Sequence, residues 1–559
     1  MEGKTVPHKE VSTDQDRSSI NKIPDSVNDA ENNKGNGDHV TDSEKTVEKK
    51  TSVKNGIVRM ILVLLSLVLE VAVIFLLLHF AGSKAGWIYS IIHIISMILV
   101  LTIYGSHRTA SIRMTWIILI LVLPIVGTVL YFLIGLNGYT IQMRKRYVRL
   151  DKKLFPLLPE NEDVFRRASA RSGRLTGVMQ YIRKNAGYPV YENTRVTYYD
   201  DALKGLEAQK EELAKAEHFI FMEYHAIEDA ESWHEIRDIL AERAGAGVEV
   251  RIFYDDMGSV GFITTDFVKR TKALGIQCRV FNPFTPGLNL FLNNRDHRKI
   301  TVIDGKVGFT GGYNLANEYF HRTEPYGFWK DTGIRLEGDA VRSLTITFLE
   351  MWNAISNKDK DDKDYSKYLP SVSFPKAHGF VQPYADSPMD DIPVGEDVYM
   401  SLAENAQDYV WYITPYLIIT DEMNHVLSLA AKRGVDVRII TPGIPDKKIV
   451  YSLTRSYYNG LARNGVRIFE FTPGFCHAKM CVSDDIVAVC GTINLDYRSL
   501  YHHFENGCLY ADCQAVMDTK RDFEETFALC NEVTEYYVSG RGALMRFKHM
   551  LLRLAAPLM

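Results

Sequence analysis

Two segments of this chain carry the same reactive residue types at the same spacing. His297, Lys299 and Asp304 repeat as His477, Lys479 and Asp484, each set reading H-x-K-x-x-x-x-D. The echo continues: Gly311 and Asn314 follow the first histidine by 14 and 17 residues, and Gly491 and Asn494 follow the second at the same offsets. One such motif arises easily by chance. Two in register, each with its glycine and asparagine, point to two half-sites built to meet. A phosphodiester needs its non-bridging oxygens neutralised, a nucleophile in line and a proton for the leaving alkoxide. Lys299, Lys479, Asn314 and Asn494 supply the phosphate cradle. Of His297 and His477, one would attack phosphorus and the other would handle the proton. With lysines stabilising the charge, no metal or other cofactor is expected.

The elements that must hold these residues are short strands. Lys299–Ile303 and 479–482 alternate in β fashion, which puts His and Lys of each motif on one face. Asp304 and Asp484 fall at the strand ends. They belong to the candidate catalytic set, although bracing the strand end is the expected work of each. Gly311-Gly312 and Gly491-Thr492 form turns where backbone approaches a ligand.

Around the motifs, strands alternate with helices, so the chain reads as α/β layers. Phe219–Met222 and Gly247–Phe253 are strands flanking a helix at Trp233–Arg243. Tyr409–Thr414 and Gly434–Ile440 flank one at Asp421–Lys432. The matching Gly-Val-acid-Val-Arg-Ile at 247–252 and 434–439 sets the two halves in register. The reading is a duplicated lobe: residues 188–355, a charged linker at 356–372 centred on Asn357–Asp364, and residues 373–540.

Before the first lobe lie a polar tail without aromatics (1–56), expected to be disordered, and a membrane segment (57–136). Its apolar runs, 57–80, 87–104 and 114–136, are each long enough for a spanning helix. Glu70 and His93 fall within the first two and are expected to serve helix packing. A basic connector (137–187) holds Arg144, Lys145, Arg146, Arg149, Lys152 and Lys153. By the positive-inside rule that cluster puts the catalytic part in the cytoplasm of an integral, multi-pass membrane protein. The C-terminus (541–559) reads as a basic amphipathic helix.

Composition narrows the classes further. With 46% hydrophobic residues, 24% charged residues and a net charge of −4, the chain shows no general affinity for nucleic acid. Seven cysteines, two of them (Cys476 and Cys481) flanking the second motif histidine, have no paired metal spacing.

The paired motifs resemble those of the phospholipase D superfamily, and the whole arrangement is similar to its bacterial cardiolipin synthases. Further marks are Thr115-Trp116, Pro124-Ile125-Val126-Gly127, Tyr131, Gly135, Tyr188-Pro189-Val190-Tyr191, Thr414-Pro415-Tyr416, the run 491–499 and the closing 553–558. The resemblance implies transfer of a phosphatidyl group between two phosphatidylglycerol molecules, giving cardiolipin and glycerol at the bacterial plasma membrane. Phosphatidylglycerol and anionic membrane lipid would be the partners. It also implies a phosphohistidine on His297, acid/base work by His477, and support from the opposite lobe: Glu505 for His297 and Asp331 for His477. The residues themselves leave either histidine as nucleophile. A hydrolase of the superfamily, a synthase taking phosphatidylethanolamine, and a dead membrane scaffold stay open. The departures are Thr492, where serine is usual, and Gly312 at the matching place.

Overall fold

The computed structural model describes residues 86–106, 109–132, 138–283, 294–355, 364–370, 374, 377–390 and 392–539, with isolated positions at 61, 65, 72, 552, 553 and 556. The polar tail, nearly all of the first apolar run, most of the charged linker and most of the C-terminal segment lie outside them.

The first half is a seven-stranded mixed sheet. Its strands are β1 (Thr194–Tyr199), β2 (Phe219–Tyr224), β3 (Glu249–Asp255), β4 (Gln277–Phe281), β6 (Lys299–Ile303), β7 (Val307–Gly311) and β9 (Gly333–Gly338), in the order β1-β9-β7-β6-β2-β3-β4. Two short strands, β5 (Arg295–Asp296) and β8 (Phe328–Lys330), leave this sheet and pair elsewhere.

The second half repeats the plan. Its strands are β10 (Phe380–Asp386), β11 (Tyr409–Ile413), β13 (Asp436–Pro442), β14 (Arg467–Phe471), β16 (Met480–Ser483), β17 (Val487–Gly491), β19 (His503–Ala511) and β20 (Cys530–Glu532). The order is β10-β19-β17-β16-β11-β13-β14-β20, with β5 of the first half added beside β19. Short strands β12 (Leu417–Ile418) and β18 (Leu495–Asp496) pair together, and β15 (Gly474–Cys476) pairs with β8.

Sequence explains this layout. β2 and β11 are central strands, so every residue in them is buried; β11 reads as an unbroken apolar or aromatic run, and β2 does so apart from Glu223. The helices Glu231–Gly245 and Asp421–Lys432 carry the chain to the next parallel strand. Thr420 caps the second by accepting from Met423 N. Gly247 and Gly434 turn the chain out of these helices at φ +94° and +97°. That left-handed conformation favours glycine and explains the first letter of the repeated Gly-Val-acid-Val-Arg-Ile.

The expectation of N-terminal membrane-spanning helices is corrected. The run 87–104 forms α1 (Gly86–Tyr104), while the run expected at 114–136 breaks into α2 (Ala110–Val122) and α3 (Pro124–Leu130). Pro124 lacks an N–H, and Leu123 before it leaves helical geometry at φ −130° and ψ 72°. The resulting pieces of 13 and 7 residues fall well short of the roughly 20 that a crossing requires. In α1, Ser96 meets the Thr128 hydroxyl at 2.7 Å and Pro124 O at 3.3 Å, which ties it to α3. Among the described residues no helix is long and apolar enough to cross a membrane. The integral, multi-pass placement and the orientation built on it are therefore withdrawn. His93 is exposed on α1, not packed between helices.

The basic segment that follows is helical. α4 (Gly138–Leu154) docks on the first half: Tyr147 donates to Met351 Sδ at 3.0 Å and Arg146 to the Ala354 carbonyl at 3.2 Å. Both acceptors lie on the buried helix Val341–Ile355.

Candidate active site

The two motif histidines sit where the halves exchange short strands. β5, just before His297, pairs in parallel with the start of β19, and β15, just before His477, pairs in parallel with β8. Each exchange runs on into the histidine itself. His297 N donates to Phe504 O at 2.9 Å, and His477 N donates to Lys330 O at 2.7 Å. The next residue on each supporting strand is an acid. His297 Nδ1 lies 3.0 Å from Glu505 Oε2, and His477 Nδ1 lies 2.6 Å from Asp331 Oδ2. Both acids are fully buried. An Nδ1–H held by a carboxylate leaves Nε2 as the reactive nitrogen of each ring.

The lysines complete the two copies. Lys299 Nζ donates to the His297 carbonyl at 2.6 Å. Lys479 donates to the His477 carbonyl, and its Nζ stands 3.0 Å from His477 Nε2. All four side chains are buried and act on one another. Burial first, then the charges of Lys299 and Lys479 and the His477 ring, pushes His297 well below the usual imidazole range. Burial, then Lys479 and Lys299, does the same to His477. Burial pulls Lys299 down to about 7 and Lys479 to about 8, against the attraction of Glu505 and Asp331 on both. Burial lifts Asp331 to about 6, with Lys479 opposing. Each lysine feels the acids of both halves, so the two copies make one site. Lys447, exposed on the surface, adds positive potential at both histidines.

Asp304 and Asp484 serve their own sheets. Each is held at positive φ, 51° and 53°. Asp304 accepts from the backbone N–H groups of Glu217, His218 and Phe219 at 2.7–2.9 Å. Asp484 accepts from Gln407, Asp408 and Tyr409 at 2.8–3.0 Å, and pairs with Arg174 at 2.8 Å. Both carboxylates fix the entry to the central strand. Asn314 is also engaged: Oδ1 accepts from Ala226 N at 3.1 Å and Nδ2 donates to the Tyr319 hydroxyl at 2.8 Å. Asn494 Oδ1 is buried without a hydrogen-bond partner among the described residues.

Sequence reading missed the surroundings that make the half-sites unequal. His297 has imidazole neighbours, His225 and His503, at centroid distances of 4.9 and 5.5 Å. His477 lies among Tyr319, Trp329 and Phe475 at 5.2–5.8 Å. Beneath the first motif, buried Arg298 pairs with Glu223 at 2.8 Å and Asp296 at 3.2 Å, whereas Ala478 fills the matching place. One signal was available: His503 stands two residues before Glu505, as Trp329 stands two before Asp331, so each shares a strand face with its acid.

The two cysteines beside the second motif are free and buried. Among the described residues, the one group of potential metal ligands within reach of a common ion is His297, His503 and Glu505.

Known proteins are similar to this chain over both halves. The family model "Cardiolipin synthase, PLD-like domain" matches residues 210–352 and again 399–527, one copy per half. A second, "Phospholipase_D-nuclease N-terminal", matches residues 85–135. An uncharacterized protein of Streptococcus mutans is 42% identical over 82% of this chain and 99% of its own. A cardiolipin synthase of Halalkalibacterium halodurans is 30% identical over 85% of this chain and 95% of its own. Among solved structures, the phosphatidylserine synthase of Haemophilus influenzae superimposes with a TM-score of 0.51, covering 68% of this chain and 99% of that one at 14% identity. That likeness concerns the fold alone.

Proposed function

Because the chain belongs to the cardiolipin synthase family of the phospholipase D superfamily, we propose that it transfers a phosphatidyl group from one phosphatidylglycerol to the hydroxyl of another, releasing glycerol and forming cardiolipin. The observation that carries this reading is the crossed pair of acid–histidine contacts, Glu505 on His297 and Asp331 on His477, closed around two buried lysines.

The steps follow from which nitrogen is free. His297 Nε2 attacks phosphorus, the bond from phosphorus to the glycerol oxygen breaks, and His477 gives that oxygen a proton. Lys299 and Lys479 neutralise the non-bridging oxygens while charge builds on them. The partially neutral lysines gain their full charge as the anionic diester enters, and the anion in turn favours a protonated His477. The product of this half is a phosphatidyl–His297 adduct. In the second half, a hydroxyl of another phosphatidylglycerol gives its proton to His477 Nε2, its oxygen attacks phosphorus, and the phosphorus–nitrogen bond breaks. Asp304 and Asp484 hold the strands and touch none of these steps. His297 as nucleophile follows the family assignment.

Lipid as substrate draws support from the surface as well. Ile91, Ile94, Ile98 and Leu101 are exposed at helical spacing on α1, and Arg144, Lys145 and Arg149 are exposed on α4. An apolar stripe together with a basic helix suits contact with anionic lipid.

The test is product identification by mass after purified protein meets labelled phosphatidylglycerol in vesicles. Cardiolipin with equimolar glycerol is expected. Phosphatidic acid as the dominant product would make the protein a hydrolase, and no turnover would refute the assignment.

A further inference from the structure

Both oxygens of Glu505 lie within 3.0 Å of His297 Nδ1, and each has a further neighbour of its own. Thr492 Oγ1 donates to Oε2 at 2.5 Å, which fixes the carboxylate. Oε1 lies 2.9 Å from His297 Nδ1 and 3.6 Å from His503 Nδ1. Neither ring nitrogen of His503 has a hydrogen-bond partner among the described residues, although its side chain is only 11% exposed. A buried imidazole whose nitrogens have no contact closer than the 3.6 Å one to Glu505 is costly unless something else uses them. One ligand atom from each of His297, His503 and Glu505 lies within 4.8 Å of the other two.

Two imidazoles and one carboxylate, with a fourth position open, form a donor set that zinc takes. Tetrahedral zinc needs its ligand atoms about 3.3 Å apart, given bonds of about 2.0–2.1 Å, so small side-chain rotations close the set. The other half-site has no such set, because Trp329 occupies the place of His503. Packing alone would have been served by an aromatic ring there too.

We infer that His297, His503 and Glu505 form a binding site for a zinc-type divalent cation, and that filling it shuts the catalytic centre. An ion on His297 Nδ1 would leave the ring's one proton on Nε2, so no lone pair would face phosphorus, and it would turn Glu505 away from its supporting role. Metal and phosphodiester would therefore exclude each other. The charges of Lys299 and Lys479 oppose a cation and favour an anion, so substrate has the advantage whenever it is abundant.

The experiment uses the full chain stripped with a chelator. Equilibrium dialysis against Zn²⁺ measures stoichiometry and affinity, and Co²⁺ in its place reports ligand geometry through its visible spectrum. Two variants, His503→Asn and His503→Trp, test the site, the second copying the residue found in the other half. Wild type is expected to bind one ion per chain, with tetrahedral Co²⁺ absorption, and to lose it to added inorganic phosphate. Loss of an outer-shell partner alone commonly costs 10–100-fold in metal affinity, so removing the ligand His503 should weaken binding by about tenfold or more. In both variants, whatever turnover of phosphatidylglycerol remains should no longer be inhibited by zinc. Unchanged zinc affinity in either folded variant, or no binding to wild type, would overturn the site. Dialysis and spectra need no turnover, so they report on the metal site even if the transferase reading fails.

Discussion

Gly312 lies so close to Asp331 that a Cβ at residue 312 would stand 2.9 Å from Asp331 Cγ. At the matching place in the other half, Thr492 instead donates to Glu505. The same structural position therefore serves the acid in two ways, by yielding space on one side and by a hydrogen bond on the other. Gly312→Ala should displace Asp331 from His477 and lower kcat by about 10²-fold, the cost typical of a misplacement near 1 Å. Thr492→Ala should cost less, because His297 and the surrounding strand still hold Glu505. Equal losses in the two variants, measured as initial rates of cardiolipin formation, would contradict this asymmetry.

The acids themselves give a second test. Asp331→Asn and Glu505→Gln keep shape but remove the charge that fixes each histidine tautomer. Each should lower kcat by about 10²–10⁴-fold while leaving KM nearly unchanged. A rise in KM with unchanged kcat would assign them to substrate binding instead.

Charge on the lysines gives a third. Lys299 and Lys479 lose their protons near 7 and 8 in the free protein. A bound phosphate-type anion raises both values, so between pH 7 and about 9 the complex holds more protons than the free protein. Binding of inorganic phosphate should therefore take up protons and weaken as pH rises through this window. Calorimetry in buffers of different ionisation enthalpy reads the uptake directly. Lys479→Met should reduce it, and uptake unchanged in that variant would show that other groups carry the proton.

The exposed basic face of α4 predicts a lipid-surface effect. Replacing Arg144, Lys145 and Arg149 by glutamate should lower binding to anionic vesicles by about tenfold or more, since each basic residue near such a surface contributes about 1 kcal/mol. Neutral vesicles should show little difference. Equal binding of wild type and variant to anionic vesicles would remove this face from the account.

Much of this was legible in the residues. β6 spans Lys299–Ile303 as the alternation implied, the helix Asp421–Lys432 matches its expected ends, and the repeated Gly-Val-acid-Val-Arg-Ile marks equivalent strands in the two sheets. These are local patterns, where period and capping decide the outcome. The crossed acids could be named only through family resemblance. No local pattern tells that β5 and β15 leave their own sheets to pair across the halves. The apolar run 114–136 misled because its mean hydropathy hid Pro124, whose missing N–H ends one helix and starts another. His503 went unread because its spacing to Glu505 acquires meaning only once His297 is known to sit opposite.

The most direct measurement of the central claim is to trap the intermediate. Rapid acid-free quenching of the full chain during turnover of ³²P-labelled phosphatidylglycerol, followed by peptide mapping, should place the label on His297. Substituting His477 by asparagine should prolong its lifetime, because that residue activates the second alcohol. Label on His477 would reverse the two roles. Turnover to cardiolipin with no histidine carrying label would contradict the double-displacement account.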